Sequence, residues 1–225
     1  MKDLIVITAA SSVQGTMPLY LRQLMDAGID VHVEDTSKLN LTGAGGDLGF
    51  KIHWLREFSQ RFAEYEAFVL TDAFDVTFYG TREQVIKKIP RKGVLWGAEK
   101  NCYPDPHIAS RITGSTPWHL ANGGLLCGTP GVLLDWCEAA ERHPLYDTHL
   151  LDQEFLNMLL AEKDPLAQID SCTAVFFCLY GGYDELEFTK GIPLNTTCCT
   201  FPNFVHANGK WDAGEMFARC QRSLV

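Results

Sequence analysis

Short apolar runs separated by amphipathic stretches set the pattern of the chain. Leu4-Ile-Val-Ile-Thr8 is β-branched and predicts a buried strand of a parallel sheet. Residues 9–15 are small and polar and read as a loop at its carboxyl end. Thr16 is placed to cap a helix that includes Pro18 among its first positions. Leu19, Leu21, Leu24 and Met25 should face inward from that helix, and Gly28 should end it. Residues 29–33 give a second strand. A β-loop-α-β opening is that of a nucleotide-binding α/β domain. Residues 35–49 are polar and carry Gly43, Gly45, Gly46 and Gly49. Their spacing is neither a P-loop nor a dinucleotide fingerprint, so the stretch reads as a flexible loop, with a phosphate cradle left open. Residues 50–65 predict a helix with Ile52, Leu55, Phe58 and Phe62 as its core face. Lys51 and Trp54 share a face near its start, either as a cation and an aromatic plate for one ligand or as surface and core residues.

The run Phe68-Val-Leu70 predicts the next buried strand, with Asp72 and Asp75 just past its end. Thr81 should cap a helix through Lys88, stopped by Pro90, and residues 93–98 form a strand ending in Glu99. Residues 101–117 hold Pro104, Pro106 and Pro117 and read as irregular. Asn122-Gly-Gly-Leu-Leu-Cys127 is apolar and led by two glycines, which suggests that the backbone at Gly123 and Gly124 passes close to something. Helices are expected over 130–142 and 147–160, strands over 169–170 and 174–179, and turns over 180–193. A late strand ends at His206, and Asp212 should cap a final helix over 214–220. With no repeat, low-complexity tract or linker, residues 1–225 read as a single α/β domain.

Composition narrows this little. The hydrophobic fraction of 46% and charged fraction of 21% are those of a globular domain with a full core. The net charge of -9 argues against a broad basic footprint for nucleic acid. The eight cysteines match no zinc spacing. Cys127, Cys137, Cys172 and Cys178 lie in apolar runs and are expected to act as small buried hydrophobes. Asp3 interrupts the basic N-terminal region, and Leu4–Ile7 is too short for a signal segment. Nor is there an apolar run of about 20 residues to cross a membrane. The expectation is a reduced, cytoplasmic protein, in its own or a host cell, with no membrane partner.

Candidate chemistry gathers at the strand ends. Open α/β sheets bind ligands at the carboxyl ends of their strands. Asp72 and Asp75 there would be hard oxygen ligands for Mg²⁺ or Mn²⁺, or else a turn cap and a solvated side chain. His206 adds an imidazole, which suits Mn²⁺ better than Mg²⁺. Lys51 and Lys210 offer point charges for phosphates. A metal and lysines around a diphosphate neutralise a departing nucleotide, which is what sugar transfer from a nucleotide-sugar requires.

Seven short segments, in order along nearly the whole chain, resemble a known family. They are Leu4-Ile-Val-Ile-Thr8; Gly45-Gly46 with Lys51 and Trp54-Leu55; Thr71-Asp72-Ala-Phe-Asp75-Val76; Ala98-Glu99 with Cys102-Tyr103-Pro104; Leu120-Ala-Asn122-Gly123-Gly124; Asp152-Gln153 with Phe155; and Val205-His206-Ala207-Asn208-Gly209. The family is the glycosyltransferase domain of procollagen lysyl hydroxylases and related collagen-type glycosyltransferases. The resemblance implies a GT-A fold, an α/β architecture around a mostly parallel sheet flanked by helices. It implies a UDP-sugar donor and Mn²⁺, or Mg²⁺, held by Asp72, Asp75 and His206. Val6 and Thr8 would contact the uridine, Trp54 would stack on or beside the base, and Lys51 would meet the nucleotide. Ala73, between the two aspartates, and Gly209 with Lys210 would complete the donor site. Asp152 would position the acceptor or act as a base, with Asn122 and Gln153 beside it. Glu99 and Tyr103 would line the sugar or acceptor side.

This chain departs from the family pattern at Ala207, where a glycine is usual, at Tyr103, where a tryptophan is, and at Asn122, shifted by one position. The family's acidic run before Asp152 is reduced to Tyr146-Asp-Thr-His-Leu-Leu151. The acceptor implied by the resemblance is a hydroxyl group, that of hydroxylysine in a protein. A hydroxymethylated DNA base is the alternative, which the acidic charge disfavours. A nucleotide-sugar-binding module without activity is a reading of another class. Phosphoryl transfer would use the same aspartates but lacks a P-loop or kinase signature.

Overall fold

The computed structural model describes residues 2–37, 47–209 and 213–223. The chain runs β1 (Lys2–Ala10), α1 (Met17–Asp26), β2 (Asp30–Asp35), α2 (Leu48–Arg61), β3 (Tyr65–Thr71), β4 (Val76–Phe78), α3 (Arg82–Lys88), β5 (Leu95–Glu99), β6 (Leu120–Gly128), α4 (Pro130–Arg142), α5 (Asp152–Ala161), β7 (Gln168–Ile169), β8 (Phe176–Cys178), β9 (Leu186–Thr189), β10 (Ile192–Asn195), β11 (Phe204–His206) and α6 (Ala213–Arg222). A six-stranded sheet has the order β2-β1-β3-β6-β5-β7. Its neighbours are parallel except for the two pairings that β6 makes. The mixed α/β architecture with a mostly parallel central sheet is therefore the one expected.

Successive side chains of a strand point to opposite faces, and the central strands feed two cores in alternation. Leu4 and Val6 of β1 join Val69 of β3 and Tyr20 and Leu24 of α1 on one face. Ile5 and Ile7 join Phe68 and Leu70 with Leu55 and Phe58 of α2 on the other. Burial on both faces is why these strands read as unbroken apolar runs. Each such side chain contributes about 1.5–3 kcal/mol. A smaller sheet, β4-β11-β8, packs beside the larger one. The buried Asp170, just past β7, joins the two. Its carboxylate accepts the N–H groups of Ala174, Val175 and Phe176 at 2.9, 2.7 and 2.9 Å, where β8 begins. Burial raises the Asp170 pKa, and those three N–H groups oppose the rise. Lys88 of α3 donates to Ala174 O, Phe201 O and Asn203 Oδ1 and ties the helix to the same junction. The carboxyl ends of β3, β5, β8 and β11 and the start of β6 consequently open on one cleft.

Several elements differ from expectation. In α1 the buried residues are Met17, Tyr20 and Leu24, while Met25 is exposed. Thr16 does not cap α1, because its Oγ1 donates to Phe74 O at 3.0 Å. The helix expected over 50–65 begins at Leu48, capped by Asp47, and ends at Arg61, so that Tyr65 opens β3. The helix expected from residue 147 begins at Asp152, because Asp147 forms a turn with His149 N at 2.9 Å. The stretch read as turns contains the hairpin β9-β10. Its two-residue connection, Lys190-Gly191, has φ of 51° and 77°, as a tight hairpin turn requires. Cys127, Cys137 and Cys178 are buried, but Cys172 is exposed. Gly43, Gly45, Gly46, Lys210 and Asp212 lie outside the described residues. Among the described residues no helix is long and apolar enough to cross a membrane.

Candidate active site

Three donor atoms converge at one edge of the cleft. Asp72 follows the last residue of β3, Asp75 precedes β4, and His206 ends β11, which pairs with β4. His206 Nε2 lies 3.3 Å from Asp72 Oδ2 and 3.4 Å from Asp75 Oδ2. The three donors fall within 4.8 Å of one another. The imidazole is buried, whereas the Asp72 side chain is 53% exposed and opens on the cleft. Burial opposes a charged imidazole, yet hydrogen bonding to Asp72 and Asp75 holds His206 well above the usual histidine range. Desolvation opposes ionisation of Asp72, and His206 nevertheless lowers its pKa. Cys178 lies across the strand pair from His206, and burial pushes its thiol up to about 11. It is thus a neutral neighbour. A cluster of two carboxylates and one imidazole turned to one point fits a divalent ion with a tolerance for nitrogen, such as Mn²⁺.

The cleft, about 500 Å³, is also lined by a second charged pair. Lys51 of α2 donates to Gly123 O at 3.1 Å and pairs with Asp152 Oδ2 at 3.2 Å. Asp152 is the first residue of α5, where a carboxylate complements the helix dipole. Its Oδ1 also accepts Gln153 N at 2.7 Å. Glu99, buried at the end of β5, lines the same cleft. Gln153 Nε2 donates to its Oε1 at 2.5 Å, Asn122 Nδ2 to its Oε2 at 3.2 Å, and Asn208 Nδ2 also to Oε2. Burial raises the Glu99 pKa, and the three amide donors offset part of that rise.

The two glycines that open β6 explain how these groups come so close. A Cβ on Gly124 would collide with the Asp72 carboxylate, and one on Gly123 with that of Asp152. Neither glycine has a positive φ, so the need for glycine is steric. The close approach expected at Gly123-Gly124 is therefore to the two carboxylates.

Of the residues singled out in the sequence, Lys51, Asp72, Asp75, Glu99, Asn122 and Asp152 line the cleft together, as do Gln153, His206 and Gly209. Others lie elsewhere. Val6 is fully buried in the core, and the buried Thr8 donates its hydroxyl to Thr71 O at 3.0 Å. Ala73 is buried against Ala10 and Met17. Trp54 packs on Phe58, with ring centroids 4.6 Å apart, and is not among the lining residues of the cleft. Lys51 shares its helix but faces Asp152, so the two do not present one joint surface to the cleft.

Asn208 and Tyr180 line the cleft without having been given a role by the sequence. Asn208 connects Glu99 to the backbone N–H of Tyr180, which it accepts at 3.0 Å. The available signal was position, since each follows a buried strand at its carboxyl end, as Asp72 does.

Residues 1–214 match the family model described as PLOD GT domain. No curated protein matches the chain. Among solved structures, the chain is similar to the crystal structure of a glycosyltransferase involved in the glycosylation of the major capsid of PBCV-1. The two share 12% identity at a TM-score of 0.52, over 97% of this chain and 98% of that one. At that identity the likeness is one of fold.

Two expectations follow from the geometry. Gly124→Ala displaces Asp72 and should weaken Mn²⁺ binding by about tenfold or more, as a misplaced metal ligand does. Calorimetric titration checks this, and an unchanged affinity would refute the steric role. The second concerns pH. Because His206 is raised in the folded metal-free protein, its protonation contributes stability that is full below the ordinary histidine value and is lost as pH rises through the folded one. A metal needs the neutral ring, so binding should expel a proton and strengthen as pH rises towards that folded value. Titrations in buffers of different ionisation enthalpy should detect the released proton, and its absence would contradict the assignment.

Proposed function

The chain belongs to the PLOD GT domain family, and on that premise we propose that it is a metal-dependent GT-A-type glycosyltransferase that moves a sugar from a UDP-sugar to a hydroxyl group. Family and fold support glycosyl transfer. The observation that carries the finer reading is the Asp72-Asp75-His206 cluster, which lines one cleft together with the Lys51-Asp152 pair. Asp72, Asp75 and His206 hold the metal in this reading. A divalent ion held there would supply positive charge to the diphosphate and so ease departure of UDP.

The remaining roles belong to the chain. Lys51 fixes the Asp152 carboxylate in the same cleft, where it orients the acceptor hydroxyl or takes up its proton. Asn122, Gln153 and Asn208 satisfy Glu99 and hold a rigid polar floor beneath the sugar. A floor whose members are already hydrogen-bonded needs no reorganisation during transfer. Gly209 approaches the donor through its backbone, and Lys210 supplies a further charge to it. Hydroxylysine in a protein is the acceptor that family membership suggests first, and the net charge of -9 disfavours a duplex DNA acceptor.

The test is UDP release from a panel of UDP-sugars in Mn²⁺, Mg²⁺ or EDTA. One sugar should be turned over in Mn²⁺ and spared in EDTA, and Asp75→Ala should lower the rate by on the order of 100-fold. Stabilisation by UDP and Mn²⁺ without turnover would instead indicate a binding module.

A further inference from the structure

Among the described residues, Cys102, Cys127, Cys137 and Cys178 are buried, while Cys172, Cys198 and Cys199 are exposed or half-buried, and all seven are free thiols. The three accessible ones do not line the cleft. Cys172 lies in the connection from β7 to β8, and Cys198 and Cys199 lie in the turn after β10. The feet of that turn, Asn195 and Thr200, form an isolated antiparallel bridge, with Asn195 N donating to Thr200 O at 2.8 Å. Their side chains bind the turn to the other segment. Asn195 Oδ1 accepts Thr197 N and Cys198 N at 2.9 and 3.2 Å, and its Nδ2 donates to Thr173 Oγ1 at 2.7 Å. Thr173 Oγ1 lies 3.1 Å from Thr200 Oγ1, which donates to Cys172 O at 2.8 Å. A chain of donors thus runs from Asn195 through two hydroxyls to the Cys172 carbonyl.

This clamp holds the backbone in an unusual shape. Thr173, buried and β-branched, has a φ of 53°, a conformation that persists only where neighbours impose it. The thiols on the two segments are also close enough to sense each other: burial raises the Cys198 pKa, and Cys172 raises it further. Cys198 and Cys199 are a poor pair for bridging. Neighbours along the chain have Cα atoms about 3.8 Å apart, whereas a disulfide spans about 4.4–6.8 Å. Cys199 is moreover turned back on its own turn, with Sγ donating to Thr196 O at 3.8 Å. Cys198 is left to face Cys172.

We propose that Cys172 and Cys198 are a dithiol modification site, which a small-molecule disulfide closes into a cross-link between the β7–β8 connection and the turn after β10. The exposed Cys172 thiolate attacks the small disulfide, forms a mixed disulfide and releases one small thiol. Cys198 then gives up its proton and displaces the second small thiol, leaving the Cys172–Cys198 bond. Two protein thiols are oxidised, and one small disulfide is reduced to two thiols. The bond joins segments that are already clamped together in the folded chain. Its main effect is to close the loop from residue 172 to 198 in the unfolded chain, which stabilises the fold. The site stands apart from the glycosyl-transfer reading and does not depend on it.

The test equilibrates the folded full chain with oxidised glutathione, blocks the remaining thiols and weighs the intact protein and its unreduced peptides. The wild type should lose the mass of two hydrogens, with the peptide that holds Cys172 joined to the one that holds Cys198. Cys199→Ser should form the same bond, whereas Cys172→Ser and Cys198→Ser should not. The cross-linked wild type should melt about 5 °C or more above its reduced form, a difference that Cys172→Ser abolishes. The inference is overturned if Cys172 takes up only glutathione, or if the bond forms between Cys198 and Cys199. It is equally overturned if Cys198→Ser still cross-links through Cys199, or if the cross-linked protein melts no higher than the reduced one.

Discussion

The contact on which the rest of the cleft depends is that between the first residues of β6 and two carboxylates. Gly123 and Gly124 have no side chains, and the space a Cβ would take is filled by Asp152 on one side and Asp72 on the other. The backbone joins in directly: Asp72 N donates to Gly124 O at 3.0 Å, and Gly123 O accepts Lys51 Nζ. One short piece of strand thereby fixes the spacing between the cation-paired carboxylate and the metal-type cluster. It can do so because β6 is the antiparallel strand of the large sheet, which brings its start to the edge where β3 and β5 end.

Glu99 extends the same constraint. A buried carboxylate is costly unless its oxygens are satisfied, and here the donors come from β6, α5 and the turn after β11. Each donor amide is therefore held by the need of one buried charge. Asn208 passes the constraint on to Tyr180, and the side-chain Oδ1 of Asn122, which accepts Gly124 N at 3.1 Å, passes it to β6. Precision in such a site comes from supporting contacts of this kind rather than from the groups that meet the substrate.

Much of this was legible in the sequence, for a physical reason. Strands buried on both faces leave unbroken apolar runs, and the polar residue that ends each run falls at the carboxyl edge of the sheet. Asp72, Glu99 and His206 were found in that way, and Gly123-Gly124 stood out as two glycines leading an apolar segment. What was not legible was the partner of each group. Lys51 read either as a charge for phosphates or as a surface lysine, and its pairing with Asp152 is a contact the sequence did not give. Spacing put Trp54 on the same helical face as Lys51, while the aromatic packing of Phe50 and Phe58 draws it into a cluster of rings. Asp147 looked like part of a helix until its turn with His149 delayed the start to Asp152. Periodicity reports which face is apolar, not which polar groups meet across the fold.

The central claim is that Asp72, Asp75 and His206 hold one metal ion and that the donor diphosphate joins it there. Electron spin-echo envelope modulation of bound Mn²⁺ tests it directly. The account predicts a nitrogen coupling from one imidazole, absent in His206→Gln, and a phosphorus coupling that appears when UDP is added. A Mn²⁺ signal without nitrogen coupling, or one that UDP leaves unchanged, would contradict it.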